Sequence, residues 1–220
     1  MIKKAFTFIM PWKIRRWLLQ KWFGYDLHPQ SRIGLAWVFP KKLVMAEGAR
    51  IAHFTVAVHL DRIVMEKESR IGRSNWITGF PTGTRSLHFR HQPDRVSELY
   101  MGASSAITKH HHIDCTSRIA IGRFTTIAGY YSQLLTHSID VFENIQDSHP
   151  IIIGDYAFVG TNSVILGGSV LPSYSVLGAK SLLNKAYKEE WKLYGGTPAK
   201  SISDIPRDAK YFSRKDGFVH

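Results

Sequence analysis

The chain has 220 residues, of which 44% are hydrophobic and 21% are charged. This composition is typical of one soluble globular domain with short extra elements at its ends, and no apolar run approaches the roughly 18 residues that cross a bilayer. The single cysteine, Cys115, excludes an internal disulfide and favours a reducing, cytoplasmic location. The net charge of +12 predicts anionic partners such as phosphates or an anionic membrane face. We expect no nucleic-acid partner.

Residues 1–23 combine basic side chains with six large aromatic residues. Read as an amphipathic helix, the segment places Ile14, Trp17, Leu18 and Trp22 on one side. Two interpretations remain open. The helix covers the open end of a solenoid, or it makes a peripheral contact with an anionic membrane.

A spacing of six residues dominates the segment 151–183. Neither a helix, with its period of 3.6, nor an alternating strand, with its period of 2, repeats apolar residues in this way. Short flat strands joined by tight corners do so, with three strands to each coil. The sequence therefore predicts a mainly β fold, a parallel β-helix built from hexapeptide repeats. The apolar residues in phase are Ile153, Val159, Ile165, Leu171, Leu177 and Leu183, and the turn-forming residues that follow four of them are Gly154, Gly160, Pro172 and Gly178.

The repeat is irregular before residue 78 and regular again from Ile107. Two stretches break it and are predicted to project from the coils as loops, where binding residues concentrate. Cys115 is in phase with the inward residues, so its thiol is expected to be a packing group. The predicted units are an N-terminal amphipathic helix or cap (1–30), a β-helix domain (31–186) with loop insertions at about 80–99 and 138–150, and a C-terminal extension (187–220).

Histidines mark two candidate sites. His137 stands where the second loop leaves the coil, and an imidazole held by the coil can take a proton from a hydroxyl group. By itself this position also fits a surface or capping histidine. The run His110, His111, His112 invites a metal interpretation, but adjacent strand residues point to opposite faces. At most two of these three side chains share one site within a chain.

The regular block and the segment YGGTPAKSI at 194–202 resemble those of the hexapeptide-repeat acyltransferases, which are left-handed parallel β-helices. Within that superfamily the chain is most similar to the galactoside, maltose and cell-surface polysaccharide O-acetyltransferases. The similarity is good over residues 105–203. Over residues 31–78 only the repeat itself is shared. Family members carry a general-base histidine one coil after an Ile-Gly unit and just before a loop, and His137 matches it. Asp140, Glu143 or a backbone carbonyl is expected to orient its second nitrogen.

The resemblance also implies binding residues. The position of an acceptor-binding asparagine falls on His110, with His111 and His112 beside it, so the acceptor need not resemble galactose. Acetyl-coenzyme A is expected as co-substrate, and no metal is expected. The pantetheine arm of the coenzyme would lie along the backbone at two corners of the prism. The nucleotide end of the coenzyme would contact polar and basic residues. The matched residues are Gly160, Thr161, Gly178 and Ala179 for the arm, and Asn184, Lys185 and Lys200 for the nucleotide end.

The expected function is transfer of an acetyl group from acetyl-coenzyme A to a sugar hydroxyl of a cell-envelope polysaccharide or its precursor, with a lipid- or nucleotide-linked carbohydrate as acceptor. Family members form trimers with active sites between neighbouring prisms, so a homotrimer is expected, in the cytoplasm or at the inner face of the cytoplasmic membrane. Three alternatives stay open: an N-acetyltransferase acting on an amino sugar, a metalloenzyme of the γ-type carbonic anhydrase kind, and a non-catalytic scaffold. The carbonic anhydrase spacing His-x4-His is missing after His137.

Overall fold

The computed structural model describes residues 1–217 and 219. Two helices, α1 (Ile2–Ile9) and α2 (Trp12–Phe23), come first, and a 3-10 turn (Lys210–Ser213) lies near the end. The strands of the first four coils are β1 (Asp26–Leu27), β2 (Arg32–Ile33), β3 (Trp37–Phe39), β4 (Lys42–Met45), β5 (Arg50–Ile51), β6 (Val56–Val58), β7 (Arg62–Met65), β8 (Arg70–Ile71), β9 (Trp76–Thr78), β10 (Glu98–Met101), β11 (Ala106–Ile107) and β12 (His112–Asp114). Those that follow are β13 (Ile119–Ile121), β14 (Thr126–Ile127), β15 (Gln133–Leu135), β16 (His137–Asp140), β17 (Ile145–Ser148), β18 (Ile151–Ile153), β19 (Phe158–Val159), β20 (Val164–Leu166), β21 (Val170–Leu171), β22 (Val176–Leu177), β23 (Leu182–Leu183), β24 (Lys192–Gly196) and β25 (Ala199–Asp204).

Three sheets form the sides of a prism. The first, second and third sheets contain seven, nine and seven strands, and each coil contributes one strand to each sheet. Neighbouring strands are parallel and in register, except for the antiparallel pair β24–β25 that ends the second sheet. The residues spaced by six lie inside the prism, where Val159, Ile165 and Leu183 are fully buried. Cys115 is also fully buried. The predicted hexapeptide-repeat β-helix is confirmed.

Aromatic residues stack along one corner of the prism. Phe124, Tyr156, Tyr174 and Trp191 occupy the left-handed backbone region, with φ between 54° and 59°, a conformation that costs a non-glycine residue about 1 kcal/mol. Their rings stack in sequence with centroid separations of 4.7, 5.4 and 4.8 Å. The C-terminal segment covers this stack, because the Arg214 guanidinium lies over the rings of Phe124 and Tyr156. Ring contacts along the corner therefore offset part of the backbone cost.

The first helices cover the open end of the prism. Arg15 of α2 is buried and donates hydrogen bonds to the backbone oxygens of Gly34 at 2.7 Å and Ala36 at 2.6 Å. Burial lowers the pKa of Arg15 to about 10. Leu18 is buried, whereas Trp17 is exposed, so the predicted apolar side of the helix is only partly docked. The prism begins at β1, before the predicted boundary at residue 31. No helix among residues 1–217 and 219 has the length and apolar character needed to cross a bilayer.

Both interruptions of the repeat leave the same corner, where the third sheet passes to the first. The lid loop (79–97) connects β9 to β10. The second interruption is an antiparallel hairpin of β16 and β17, in which His137 pairs with Ser148. The intervening coil contributes β12 to this corner. The two irregular segments therefore flank the carboxyl end of β12.

Candidate functional site

His137 is held by a carboxylate from the preceding coil. Asp114 ends β12 and pairs in parallel register with Leu135 of β15, two residues before His137. Its Oδ2 lies 2.7 Å from Nδ1 of His137 and also accepts the backbone N–H of His137 at 3.2 Å. The stacking of two coils therefore brings together residues that are far apart in sequence. Asp114 belongs to the candidate site although no local sequence pattern marks it.

Asp114 is only 6% exposed. The Thr116 hydroxyl donates to its Oδ1 at 2.7 Å, and the Thr136 backbone N–H donates to its Oδ2 at 3.2 Å. Burial opposes ionisation, but the hydrogen bonds from His137, Thr116 and Thr136 outweigh it and hold the pKa of Asp114 below its usual value. The site therefore contains a fixed negative charge directed at the imidazole.

The hydrogen bond to Asp114 raises the pKa of His137 above its usual value, against a smaller opposing effect of burial. In the neutral ring, Nδ1 carries the proton that is donated to Asp114, so Nε2 presents a lone pair. The side chain is 42% exposed. The Phe89 and His137 rings are perpendicular, with their centroids 6.1 Å apart. His137 is thus fixed in orientation, reachable from solvent and able to accept a proton through Nε2.

The expectation that Asp140 or Glu143 orients His137 is wrong. Oδ1 of Asp140 accepts the backbone N–H groups of Phe142 at 2.9 Å and Glu143 at 3.1 Å. It therefore stabilises the turn of the hairpin, as short acidic side chains commonly do. Glu143 lies within that turn and its side chain is exposed.

Side-chain hydrogen bonds connect the lid loop to the hairpin. Gln92 of the lid loop donates to the Asp147 carboxylate at 2.6 Å and to the Ser148 backbone oxygen at 2.8 Å. Arg95 donates to the backbone oxygens of Phe80 and Thr116, and its guanidinium lies 4.5 Å from the Phe89 ring centroid. These contacts fix Phe89 against His137.

A cleft of about 370 Å³ opens between the lid loop and the hairpin. Phe89 forms part of its wall and also contacts the His137 ring, so the cleft lies next to the candidate base. It offers one aromatic ring, aliphatic groups and several hydrogen-bonding side chains. The lining residues are Leu87, His88, Phe89, His91, Ile139, Asn144, Ile145 and Gln146.

The three consecutive histidines have different surroundings. His111 is 1% exposed, its Nδ1 accepts the Ser132 backbone N–H at 3.1 Å, and its Nε2 lies 3.0 Å from the Thr108 hydroxyl. Burial lowers its pKa to about 4. No ring nitrogen is left for an acceptor, so the sequence-based interpretation of His111 is corrected to a structural role.

His110 and His112 are exposed and line a groove of about 290 Å³. His112 lies between Trp76 and Gln133 in the third sheet. His112 stands two residues before Asp114 on β12, a separation on the order of 7 Å. One end of this groove therefore lies near the Asp114–His137 pair.

All four residues matched to the coenzyme arm lie on one edge of the prism. Gly160 and Thr161 follow β19, and Gly178 and Ala179 follow its parallel neighbour β22. A Cβ atom on Gly160 would stand 2.5 Å from the backbone nitrogen of Ala179. Close approach of the two coils therefore requires glycine at residue 160 and keeps this edge free of bulky side chains.

The residues matched to the nucleotide end are exposed but separated. Lys200 pairs with Gly195 in the β24–β25 hairpin, and the neighbouring Thr197 hydroxyl reaches the Lys180 backbone oxygen at 3.4 Å. Lys200 is thus near the edge that carries Gly178. Asn184 and Lys185 follow β23, at the corner that also carries His137. Within residues 1–217 and 219, no group of three or more His, Cys, Asp or Glu residues is arranged to hold a metal ion.

Comparisons with known proteins agree with the fold. The polysialic acid O-acetyltransferase OatWY superposes with a TM-score of 0.58 at 15% identity, covering 87% of this chain and 90% of OatWY. A point mutant of AntD, an N-acyltransferase from Bacillus cereus in complex with dTDP-4-amino-4,6-dideoxyglucose and coenzyme A, gives a TM-score of 0.50 at 13% identity, covering 88% of this chain and 90% of AntD. The left-handed β-helix predicted by resemblance to hexapeptide-repeat acyltransferases is confirmed as the fold.

Sequence similarity is more local. The carnitine operon protein CaiE of Escherichia coli K12 is 34% identical over 67 residues, which are 30% of this chain. The chain thus spans about a third, 34%, of the length of the curated relative it matches. No family model matches the chain.

The different surroundings of His137 and His111 predict opposite shifts in their titration. By NMR titration of the imidazole resonances, we expect the pKa of His137 to lie above the usual value for histidine and that of His111 to lie near 4. Asp114→Asn should lower the pKa of His137, because the charged acceptor that favours imidazolium is removed, and should leave His111 unchanged. A His137 pKa that Asp114→Asn does not move would contradict the assigned contact.

Proposed function

We propose that the chain is an acyl-coenzyme A-dependent O-acetyltransferase that transfers an acetyl group to a sugar hydroxyl of a cell-envelope polysaccharide or its precursor. The observation that carries the proposal is the Asp114–His137 pair, in which a buried carboxylate fixes Nδ1 at 2.7 Å and leaves Nε2 accessible. Its location on a prism of the hexapeptide-repeat type, beside an open cleft, supports the same function.

In the proposed mechanism, Nε2 of His137 accepts the proton of the acceptor hydroxyl as its oxygen attacks the thioester carbonyl. Asp114 stabilises the imidazolium that forms and keeps the ring oriented. When the carbon–sulfur bond breaks, His137 returns the proton to the departing thiolate. The products are the acetyl ester and free coenzyme A, and the histidine returns to its neutral form.

Coenzyme A would be held along two parts of the prism. The edge at Gly160, Thr161, Gly178 and Ala179 suits a thin pantetheine arm because the glycines remove side-chain bulk. Asn184, Lys185 and Lys200 would meet the nucleotide and its phosphates, for which exposed ammonium groups are suitable partners.

The cleft between the lid loop and the hairpin would receive the carbohydrate. The exposed side chains of Leu87 and Ile139 can pack against the apolar face of a sugar, and Asn144 and Gln146 can hydrogen-bond to its hydroxyls. His112 stands on the same strand as Asp114 and, with His110, would contact a part of the acceptor that lies outside the cleft. A panel of neutral sugars, acidic oligosaccharides and amino sugars would distinguish O-transfer from the alternative N-transfer.

Replacing the proposed base tests the mechanism. His137→Gln should lower kcat for acetyl transfer by about 100-fold or more, since a general base contributes that order of rate acceleration. The affinity for coenzyme A should remain unchanged. Asp140→Asn is the matched control because Asp140 only stabilises the hairpin turn, and it should keep near-wild-type turnover. A near-wild-type kcat in His137→Gln would refute the role of His137 as general base.

We propose a homotrimer in which the outward face of the first sheet forms the contact between copies of the chain. Along its parallel strands, Val44, Val64, Tyr100, Ala120 and Ile152 follow one another in register. Such an apolar column suits a contact with another copy of the chain. Sedimentation velocity on the full chain should give the mass of three copies, and Ile152→Lys should shift it toward that of one. A wild-type monomer at working concentration would refute this assembly.

A peripheral membrane contact at the inner face of the cytoplasmic membrane is proposed for the N-terminal helices. Ile2, Ile9 and Trp17 are exposed, and the Lys21 ammonium lies 4.8 Å from the Trp17 ring centroid. Apolar and aromatic side chains interleaved with lysines are typical of helices at an anionic lipid interface.

Flotation with vesicles of phosphatidylcholine and phosphatidylglycerol tests this contact. Ile2→Ser combined with Ile9→Ser should abolish flotation, because it removes exposed apolar groups without opening the prism. Val141→Ser combined with Phe142→Ser, at the exposed hairpin turn, is the matched control and should float like the wild type. Equal flotation of both double variants would exclude the N-terminal helices as the contact.

A further inference from the structure

The second sheet carries a line of arginines on its outward surface. Arg32, Arg50 and Arg70 occupy the same register position in the first three coils. Neighbouring strands lie about 4.8 Å apart, so the three residues span roughly 10 Å along the prism. In the next two coils this position is taken by Ala106 and Thr126. The charge is therefore confined to the part of the prism nearest the N-terminal helices. We call this line the arginine stripe.

Like charges directly opposite each other on neighbouring strands are unfavourable. Arg70 is partly compensated, since Nη2 lies 3.5 Å from a Glu68 carboxylate oxygen. Arg32 and Arg50 are exposed, and within residues 1–217 and 219 neither forms an ion pair. An anion bound along the stripe would relieve this repulsion.

The stripe borders a groove of about 470 Å³ that also includes His53. Small residues at the adjacent corner, Gly34, Ala52 and Gly72, keep the groove open. His53 is oriented because its Nδ1 accepts the Leu35 backbone N–H at 3.0 Å. The neutral ring then carries its proton on Nε2, where it can be donated to a ligand.

We propose that Arg32, Arg50, Arg70 and His53 form a binding site for a ligand that carries linked phosphate groups. Planar guanidinium groups bind phosphate oxygens in pairs, and successive arginines can bind successive phosphates. The site differs from the proposed coenzyme groove, because Gly160 follows a strand three places beyond β8 in the second sheet. Three strand spacings correspond to about 14 Å.

Calorimetric titration of the full chain with inorganic pyrophosphate tests the site. Arg32→Gln combined with Arg50→Gln should weaken binding by about tenfold or more, because charge-assisted hydrogen bonds are lost. Lys188→Gln combined with Lys210→Gln removes the same charge at exposed residues outside both proposed phosphate sites. That control should bind pyrophosphate like the wild type. Equal weakening in both variants, or none in the arginine variant, would overturn the proposal.

Thermal unfolding is a second measurement, and it also shows whether the arginine variant is folded. Pyrophosphate should raise the Tm of the wild type by more than that of the arginine variant, since a ligand stabilises the folded state only to the extent that it binds it. Without ligand, the arginine variant should be at least as stable as the wild type because repulsion is relieved. A lower Tm without ligand would contradict the repulsion argument.

A lipid pyrophosphate and a soluble pyrophosphate compound would both supply this chemistry, and flotation with phosphatidylcholine vesicles that contain a polyprenyl pyrophosphate separates them. Loss of flotation in the arginine variant assigns the site to a lipid headgroup. Unchanged flotation together with weakened pyrophosphate binding assigns it to a soluble phosphate compound. Unchanged behaviour in both assays rejects the site.

Discussion

The parallel register between successive coils is the constraint on which the rest of the structure depends. Each strand pairs with the equivalent strand of the next coil, so a side chain at one register position lies about 4.8 Å from its counterpart. This repetition aligns the buried residues inside the prism, stacks the aromatic corner and lines up the arginine stripe. It also carries Asp114 to His137. A change of register would dismantle the core and the candidate site together.

The candidate site combines this regular support with irregular segments. The coils fix Asp114 and the start of the hairpin, so the 2.7 Å contact rests on backbone that is held on both sides. The lid loop and the hairpin then define the space around His137, with Gln92 joining the two. Rigid coils that position reactive groups, and variable loops that select the acceptor, are a common division in enzymes. Burial strengthens the Asp114–His137 contact because little water competes with it.

Sequence periodicity predicted the prism because the side-chain pattern and the coil geometry have the same period. Val159 and Leu177 are fully buried as that pattern requires, and His137 lies at the predicted start of a projecting segment. Asp114 was missed because its role depends on which residues lie one coil apart, and the coil from Asp114 to Leu135 spans 21 residues, not three units of six. Within the histidine run, only His111 differs from its predicted role, because it occupies a buried corner where both ring nitrogens are engaged within the chain.

We propose that Asp114 contributes to acetyl transfer only through His137. A double-mutant cycle on kcat/KM, with Asp114→Asn, His137→Gln and both together, tests this dependence. We expect the double variant to be no slower than His137→Gln alone, because without the imidazole the carboxylate has nothing to orient. Losses that multiply, so that the double variant falls by the product of the two single effects, would contradict it.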